Sequence, residues 1–216
     1  MLALHRKLLR DLRSMWSQAL TIALVVASGI GGFVATLSAV DSLAEARDAF
    51  YRQARFADVF AAVKRAPWSA GEALLGLPGV ADAQLRVEAV VRVQAEGSTE
   101  PILAQLIGLD RRHPTRMNLV TLRGAPAGTQ PVSPGPALAD GALPIWVSEA
   151  FANARALRPG ARFSALVNGK RRALVMTGVA LSPDFIFAGM FGAPDQRGFG
   201  VFWIDGEALS AAYDMD

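Results

Sequence analysis

Few residues in this 216-residue chain have the type and spacing that covalent chemistry needs. Its two histidines are His5, in a basic N-terminal segment, and His113, within RRHPT. A general base needs a nucleophile in reach and a second group to orient it. Nothing near His113 in sequence recruits either, so it reads as a solvated loop residue. No cluster of His, Asp and Glu has metal-ligand spacing. The chain has no cysteine, which excludes thiol nucleophiles, disulfides and thiolate zinc sites. Ser148 lacks the glycines of a nucleophile elbow and reads instead as a helix cap. Gly29, Gly31 and Gly32 lie inside an apolar run, not between a strand and a helix. No G-x-x-x-x-G-K-S/T loop occurs, so this chain by itself does not bind ATP in that manner. The sequence assigns no catalytic residue, no metal and no cofactor.

The remaining signals concern anchoring. Arg6, Lys7, Arg10 and Arg13 give the first 13 residues their excess of positive charge, with Asp11 the one acid among them. Residues 41–216 are balanced between acids and bases, so the net charge of +3 sits wholly beside the apolar run. That is the distribution of a cytoplasmic flank, not of a nucleic-acid-binding domain. From Ser14 to Val40 there is no charged residue. As a helix, Gln18–Val40 spans roughly 34 Å, enough for a hydrocarbon core of ~30 Å. The segmentation expected is a cytoplasmic amphipathic stretch over 1–16, with Leu4, Leu8 and Leu12 on one face. A transmembrane helix over 17–40 and a stalk helix over 41–55 follow. A cleaved signal peptide is the main alternative, but its apolar region is usually about 7–15 residues. Within the span, Ala19, Ala23, Ala27, Gly31, Ala35 and Ala39 form a small-residue stripe, whose Ala23–Ala35 part is the candidate helix-packing face. Alanine-rich composition explains the same stripe without any partner.

The rest, 56–216, reads as a mixed α+β extracytoplasmic domain of one or two subdomains. Phe56–Val63 is expected as a first strand, and Ser69-Ala70-Gly71-Glu72 as a capping box opening a short helix that ends at Leu77-Pro78-Gly79. Ala83–Val93 alternates apolar and polar residues, broken only at Val90, and so predicts a half-buried strand. Ile102–Leu109 is its hairpin partner. Residues 124–141, rich in Gly and Pro, predict a loop. Ile145–Val147 is a strand leading into a helix over about 148–157. Asn168-Gly169 predicts a type I′ hairpin between Arg162–Val167 and Arg171–Leu181. Val201–Ile204 is a last strand, with Asp205 capping a final helix. No internal repeat is visible. The apolar run Phe185, Ile186, Phe187, Met190 and Phe191 reads either as core or as an exposed loop facing a partner.

A basic start, one span, a stalk and an α+β domain resemble the N-terminal part of an FtsX/MacB-type ABC transporter permease. The stretches that carry the likeness are LHRKLLRDLRSMWSQALTIALVVASGIGGFVATLSAV, YRQARFADVFAAVKRAP and LLGLPGVADAQLRV. VSEAFANARALRPG with NGKRRALVMTGVALSP is similar to the MacB-like periplasmic core domain. The resemblance implies a permease subunit in a bacterial inner membrane, lipid-embedded, with its N-terminus cytoplasmic and residues after about 40 outside. It implies a separate cytoplasmic ATPase subunit, a second permease copy and, as a further partner, a periplasmic adaptor. Substrate would be driven or extracted on the outer side, with no catalysis by this chain. The family has three further spans after this domain, whereas this sequence stops at Asp216. The alternatives are a single-span sensor or scaffold, and an anchored enzyme built around His113.

Overall fold

The computed structural model describes residues 5, 7, 10, 13–98, 100–126, 128–185, 189 and 195–215. The chain divides into two compact units, Met1–Phe50 and Tyr51–Asp216. Leu4, Leu8 and Leu12 of the expected amphipathic stretch lie outside the described residues.

The first unit contains the helix α1 (Trp16–Gln53), whose last turn belongs to the second unit. Its 38 residues contain no proline and correspond to about 57 Å of rise. None is buried in the protein. Thr21, Ser28 and Thr36 donate their hydroxyls to the carbonyls of Ser17, Val25 and Gly32, each at 2.9 Å. These polar side chains are therefore satisfied inside the helix itself.

The end of α1 lies in the second unit and is built as a Schellman motif. Arg55 sits in the left-handed region at φ 51°. Its N–H reaches Arg52 O at 3.2 Å, and Phe56 N–H reaches Tyr51 O at 3.0 Å. The Tyr51 and Phe56 rings pack with centroids 4.7 Å apart, supplying the apolar contact that accompanies this cap. Asn118 then fixes the exit. Its backbone N–H donates to Arg55 O (3.0 Å), its side-chain oxygen accepts from Ala57 N–H (3.0 Å), and Leu119 N–H donates to Ala54 O (2.8 Å). Asn118 is buried and itself left-handed, which Asn tolerates better than most residues.

The second unit is built around a closed barrel. Its strands are β1 (Glu88–Ala95), β2 (Pro101–Leu109), β3 (Thr121–Leu122), β4 (Leu143–Ser148), β5 (Arg162–Val167), β6 (Lys170–Leu181) and β7 (Phe199–Asp205). Around the ring the order is β1-β2-β7-β4-β6-β5, and β5 pairs with β1 to close it. The short β3 adds to the far half of β6. The β2·β7 and β4·β6 pairs are parallel, and the others in the ring are antiparallel. Asn168 and Gly169 both have positive φ, as the type I′ turn requires.

Three short helices complete the unit: α2 (Ser69–Leu75), α3 (Glu149–Ala154) and α4 (Gly206–Ala212). A repeat invisible in the sequence emerges from this topology. The hairpin β1-β2 followed by β4-α3 has the same plan as the hairpin β5-β6 followed by β7-α4. Each hairpin gives its second strand a parallel partner from the other half. Trp146 and Trp203 face each other across the β4·β7 pair.

Two apolar clusters hold the sheet. One gathers Val91, Val93, Ile102, Leu106, Phe163, Leu174 and Phe202 with Phe151 of α3 and Leu209 of α4. The other lies on the opposite face of β2, β4 and β7, with Ile107, Trp146, Val201 and Trp203 under Val120 and Phe185. Strands β4 and β7 are thus covered on both faces, which is why their sequences run as continuous apolar stretches. Strand β1 is wet outside and alternates. Gly206 joins β7 to α4 where a Cβ would meet Asp110 N at 2.8 Å, so no larger residue fits without displacement.

Several expectations need correction. Phe56–Val63 forms no strand, and Val59 is 83% exposed. The segment is fixed instead at Ala57, whose N–H donates to Asn118 Oδ1. The capping box does not form: Trp68, with helical angles, occupies the cap position of α2 without a side-chain bond. Ala70 and Gly71 N–H groups bond instead to the carbonyls of Pro67 and Trp68. The helix stops at Leu75, before the Pro78-Gly79 signal, with Gly76 as its cap. The alternating strand begins only at Glu88. Ser148 holds the cap position of α3 but lends it no hydrogen bond, since its Oγ accepts from Val201 N–H at 3.4 Å. Asp205, by contrast, caps α4 through Ala208 N–H at 3.2 Å, as read from the sequence.

Asn118→Ala leaves Ala57 N–H without its acceptor and places Ala in a left-handed conformation. We expect it to lower unfolding free energy by about 1–3 kcal/mol in urea melts. A change below a few tenths would mean that the exit of α1 is held by other contacts.

Candidate functional site

Around His113 the second unit assembles a polar network. His113 Nδ1 is 2.9 Å from Asp110 Oδ2, and the imidazole stacks on Trp68 with centroids 4.9 Å apart and planes 17° from parallel. Asp110 also accepts from Arg112 N–H at 2.7 Å. Partial burial pushes the Asp110 carboxyl upward. The His113 hydrogen bond, the Arg112 N–H and the two nearby cations outweigh it, and the net shift is below the ordinary carboxylate value. Arg112 and Arg111 reach Glu207, and Arg111 Nε lies 3.1 Å from buried Asp205. Asp205 Oδ2 accepts from Ser133 Oγ at 2.9 Å, tying the Pro- and Gly-rich 124–141 loop to the barrel.

This network joins elements and leaves little room for a substrate. The cleft that Asp110, His113 and Ser210 line has a volume of about 10 Å³, the size of one water molecule. A second cleft, bounded by Lys64, Arg65, Trp68, Arg86 and Met215, holds about 120 Å³. Small-molecule sites are usually ~300–1,000 Å³. Among the described residues no three His, Asp or Glu side chains converge to hold a metal ion. Sequence reasoning missed the Asp110–His113 pair although the spacing of three is visible, because loop residues carry no fixed periodicity.

Of the apolar run, Phe185 alone lies among the described residues. It ends a 3₁₀ turn, Pro183–Phe185, and its ring meets Trp203 edge-on at 6.4 Å. The Arg86 guanidinium lies over its other side at 5.6 Å. Arg86 in turn pairs with Asp184 Oδ2 at 2.7 Å. Phe185 is partly buried and packs against the second apolar cluster, the core alternative for that residue. Ile186, Phe187, Met190 and Phe191 lie outside the described residues.

The small-residue stripe is placed on one uninterrupted helix. Ala23, Ala27, Gly31 and Ala35 are all exposed, and a Cβ added at Gly31 would meet nothing within 4 Å. Among the described residues no packing explains that glycine. By length and composition α1 is able to cross a membrane, with a mean hydropathy of 2.1 over its best 18-residue window and none of that window buried. A signal sequence near an N-terminus passes the same test.

Since Asp110 titrates lower in the folded than in the unfolded chain, its contribution to stability is present above the unfolded value. That contribution is lost as pH falls through the folded one. We expect stability to decline below about pH 4. In His113→Ala the Asp110 carboxyl should titrate closer to its ordinary value, as read by carbon NMR; an unchanged midpoint would show that His113 does not hold it. No protein-family model matches the chain, and no curated protein sequence matches it.

Proposed function

We propose that this chain is the N-terminal part of a permease subunit of an FtsX/MacB-type ABC transporter. In this reading α1 crosses a bacterial inner membrane and continues outward as the stalk, with the N-terminus cytoplasmic and the barrel unit outside. ATP is hydrolysed by a separate subunit. Two permease copies move against each other, and α1 carries that motion to the barrel, which drives or extracts substrate on the outer side.

The observation that supports it best is the form of α1: an unbroken apolar helix with no buried residue, ending in a cap whose exit Asn118 fixes. An apolar helix that buries nothing in its own protein needs lipid or a partner helix around it. A flexible linker after residue 40 would absorb motion; a helix continuing to Gln53 transmits it. The barrel unit acts here as a mechanical or docking module, in keeping with the small volume of its clefts. A single-span sensor would need a ligand site, and the described clefts are small for one.

The test is purification of the protein from its native membrane in mild detergent. A stoichiometric ATPase subunit carrying a phosphate loop should accompany it, and isolation without one would contradict the reading. Since Gly31 has open space around it within the chain, Gly31→Leu should perturb only packing between helices. We expect it to cut membrane cross-linking between permease helices several-fold more than Leu24→Ala does. Equal effects would remove the stripe from the mechanism.

A further inference from the structure

Several arginines of the barrel unit are matched with carboxylates, Arg111 with Asp205, Arg123 with Glu149 and Arg162 with Asp140; Arg158 and Arg197 stand singly without one among the described residues. Arg92, Lys170, Arg171 and Arg172 are exposed and have no acidic partner among the described residues. The sheet register brings Arg92 and Arg171 together. Arg92 on β1 is opposite Leu166 on β5, and Leu166 is opposite Arg171 on β6. Two inter-strand spacings separate the arginines, roughly 10 Å, with an exposed leucine between them.

Lys170 and Arg172 flank Arg171 in sequence. Val90, on the same outward face of β1 as Arg92, is 58% exposed, and Leu166 is 51% exposed. The next pairs along the strands, Gln94 with Ser164 and Ser164 with Ala173, are neutral. The acid nearest on β1, Glu88, is taken by Arg86 and Gln105. The result is an outward pair of like charges, Arg92 and Arg171, around two aliphatic side chains, with no compensation from its own sheet; Lys170 and Arg172 lie opposite the inward-facing Val167 and Ala165 and so project from the other face of β6.

We propose that this face binds an acidic, partly apolar polypeptide segment of a partner protein. Charge complementarity selects the occupant. A second copy of the chain meeting this face two-fold would set cation against cation. Membrane interfaces favour Trp and Tyr, and the patch contains neither. Both of its cations are arginine, whose planar fork matches carboxylates in two-point contacts. The partner's carboxylates would pair with Arg92 and Arg171 while an apolar side chain covers Leu166 and Val90. This inference rests on the barrel alone and stands whether or not the transporter reading does.

The test uses the full chain in neutral detergent and a fluorescein-labelled acidic peptide, Glu-Glu-Leu-Gly in tandem repeats, followed by anisotropy. Binding is expected at low salt and should weaken as salt shortens the screening length from about 30 Å toward 3 Å. Arg92→Gln with Arg171→Gln should raise Kd about tenfold or more, whereas the exposed Arg158→Gln should change it less than about twofold. The charge-keeping pair Arg92→Lys and Arg171→Lys controls for folding and should lose less than the Gln pair. Failure of the peptide to bind, equal losses at Arg158, or an equal loss with the Lys pair would overturn the proposal. Capture of phosphatidylglycerol in mixed micelles without capture of the peptide would overturn it in favour of a lipid surface.

Discussion

Closure of the barrel through β5 is the constraint on which the second unit depends. β5 has six residues and pairs along one edge with β1 and along the other with β6. With both pairings made, the ring closes along Arg92–Ala95 of β1 and Lys170–Val175 of β6, and the backbone groups of these stretches are no longer an edge that would invite another chain. Closure also decides what lies inside. Phe163, Ala165 and Val167 of β5 turn inward, and Arg162 and Leu166 outward. Phe56–Val63, a segment of strand-like composition, pairs with no strand and remains irregular and largely exposed.

Closure with two parallel pairs sets the topology. A parallel pair needs a crossover, and here each half of the barrel supplies the crossover partner of the other. Trp146 and Trp203 meet at the β4·β7 contact, covered by the 118–123 segment and Phe185. That cover is also where Asn118 receives the chain leaving α1. The exit of the helix and the lid over the second apolar cluster thus share a few residues. A displacement of Ala54–Ala57 is felt first at Asn118 and then at Ser182, whose Oγ donates to Asn118 O at 3.3 Å.

Much of this was legible in the sequence where local chemistry decides the outcome. The uncharged run from Ser14 to Val40, the Asn168-Gly169 turn and the Asp205 cap each rest on residues within a few positions of one another. The β1·β2 hairpin was legible too, but the parallel pairs β2·β7 and β4·β6 were not, because parallel pairing is settled by contacts distant in sequence. The Ser69 capping box failed because the turn from Pro67 already supplies acceptors to the first N–H groups of α2. Arg55 at the helix end escaped notice because the left-handed cap position is usually Gly, and the Tyr51–Phe56 contact that accompanies the cap here can be seen only once folded. The unpaired cations of β1 and β6 are unremarkable in sequence and become a patch only through register.

In the proposed reading α1 separates two compartments. The chain has no cysteine, so single thiols introduced as Arg13→Cys and Arg158→Cys report placement without background. In spheroplasts a membrane-impermeant maleimide is expected to modify Arg158→Cys at once and Arg13→Cys only after detergent is added. Labelling of both positions in intact spheroplasts, or a mature chain that has lost residue 13 by cleavage, would contradict a membrane-spanning α1.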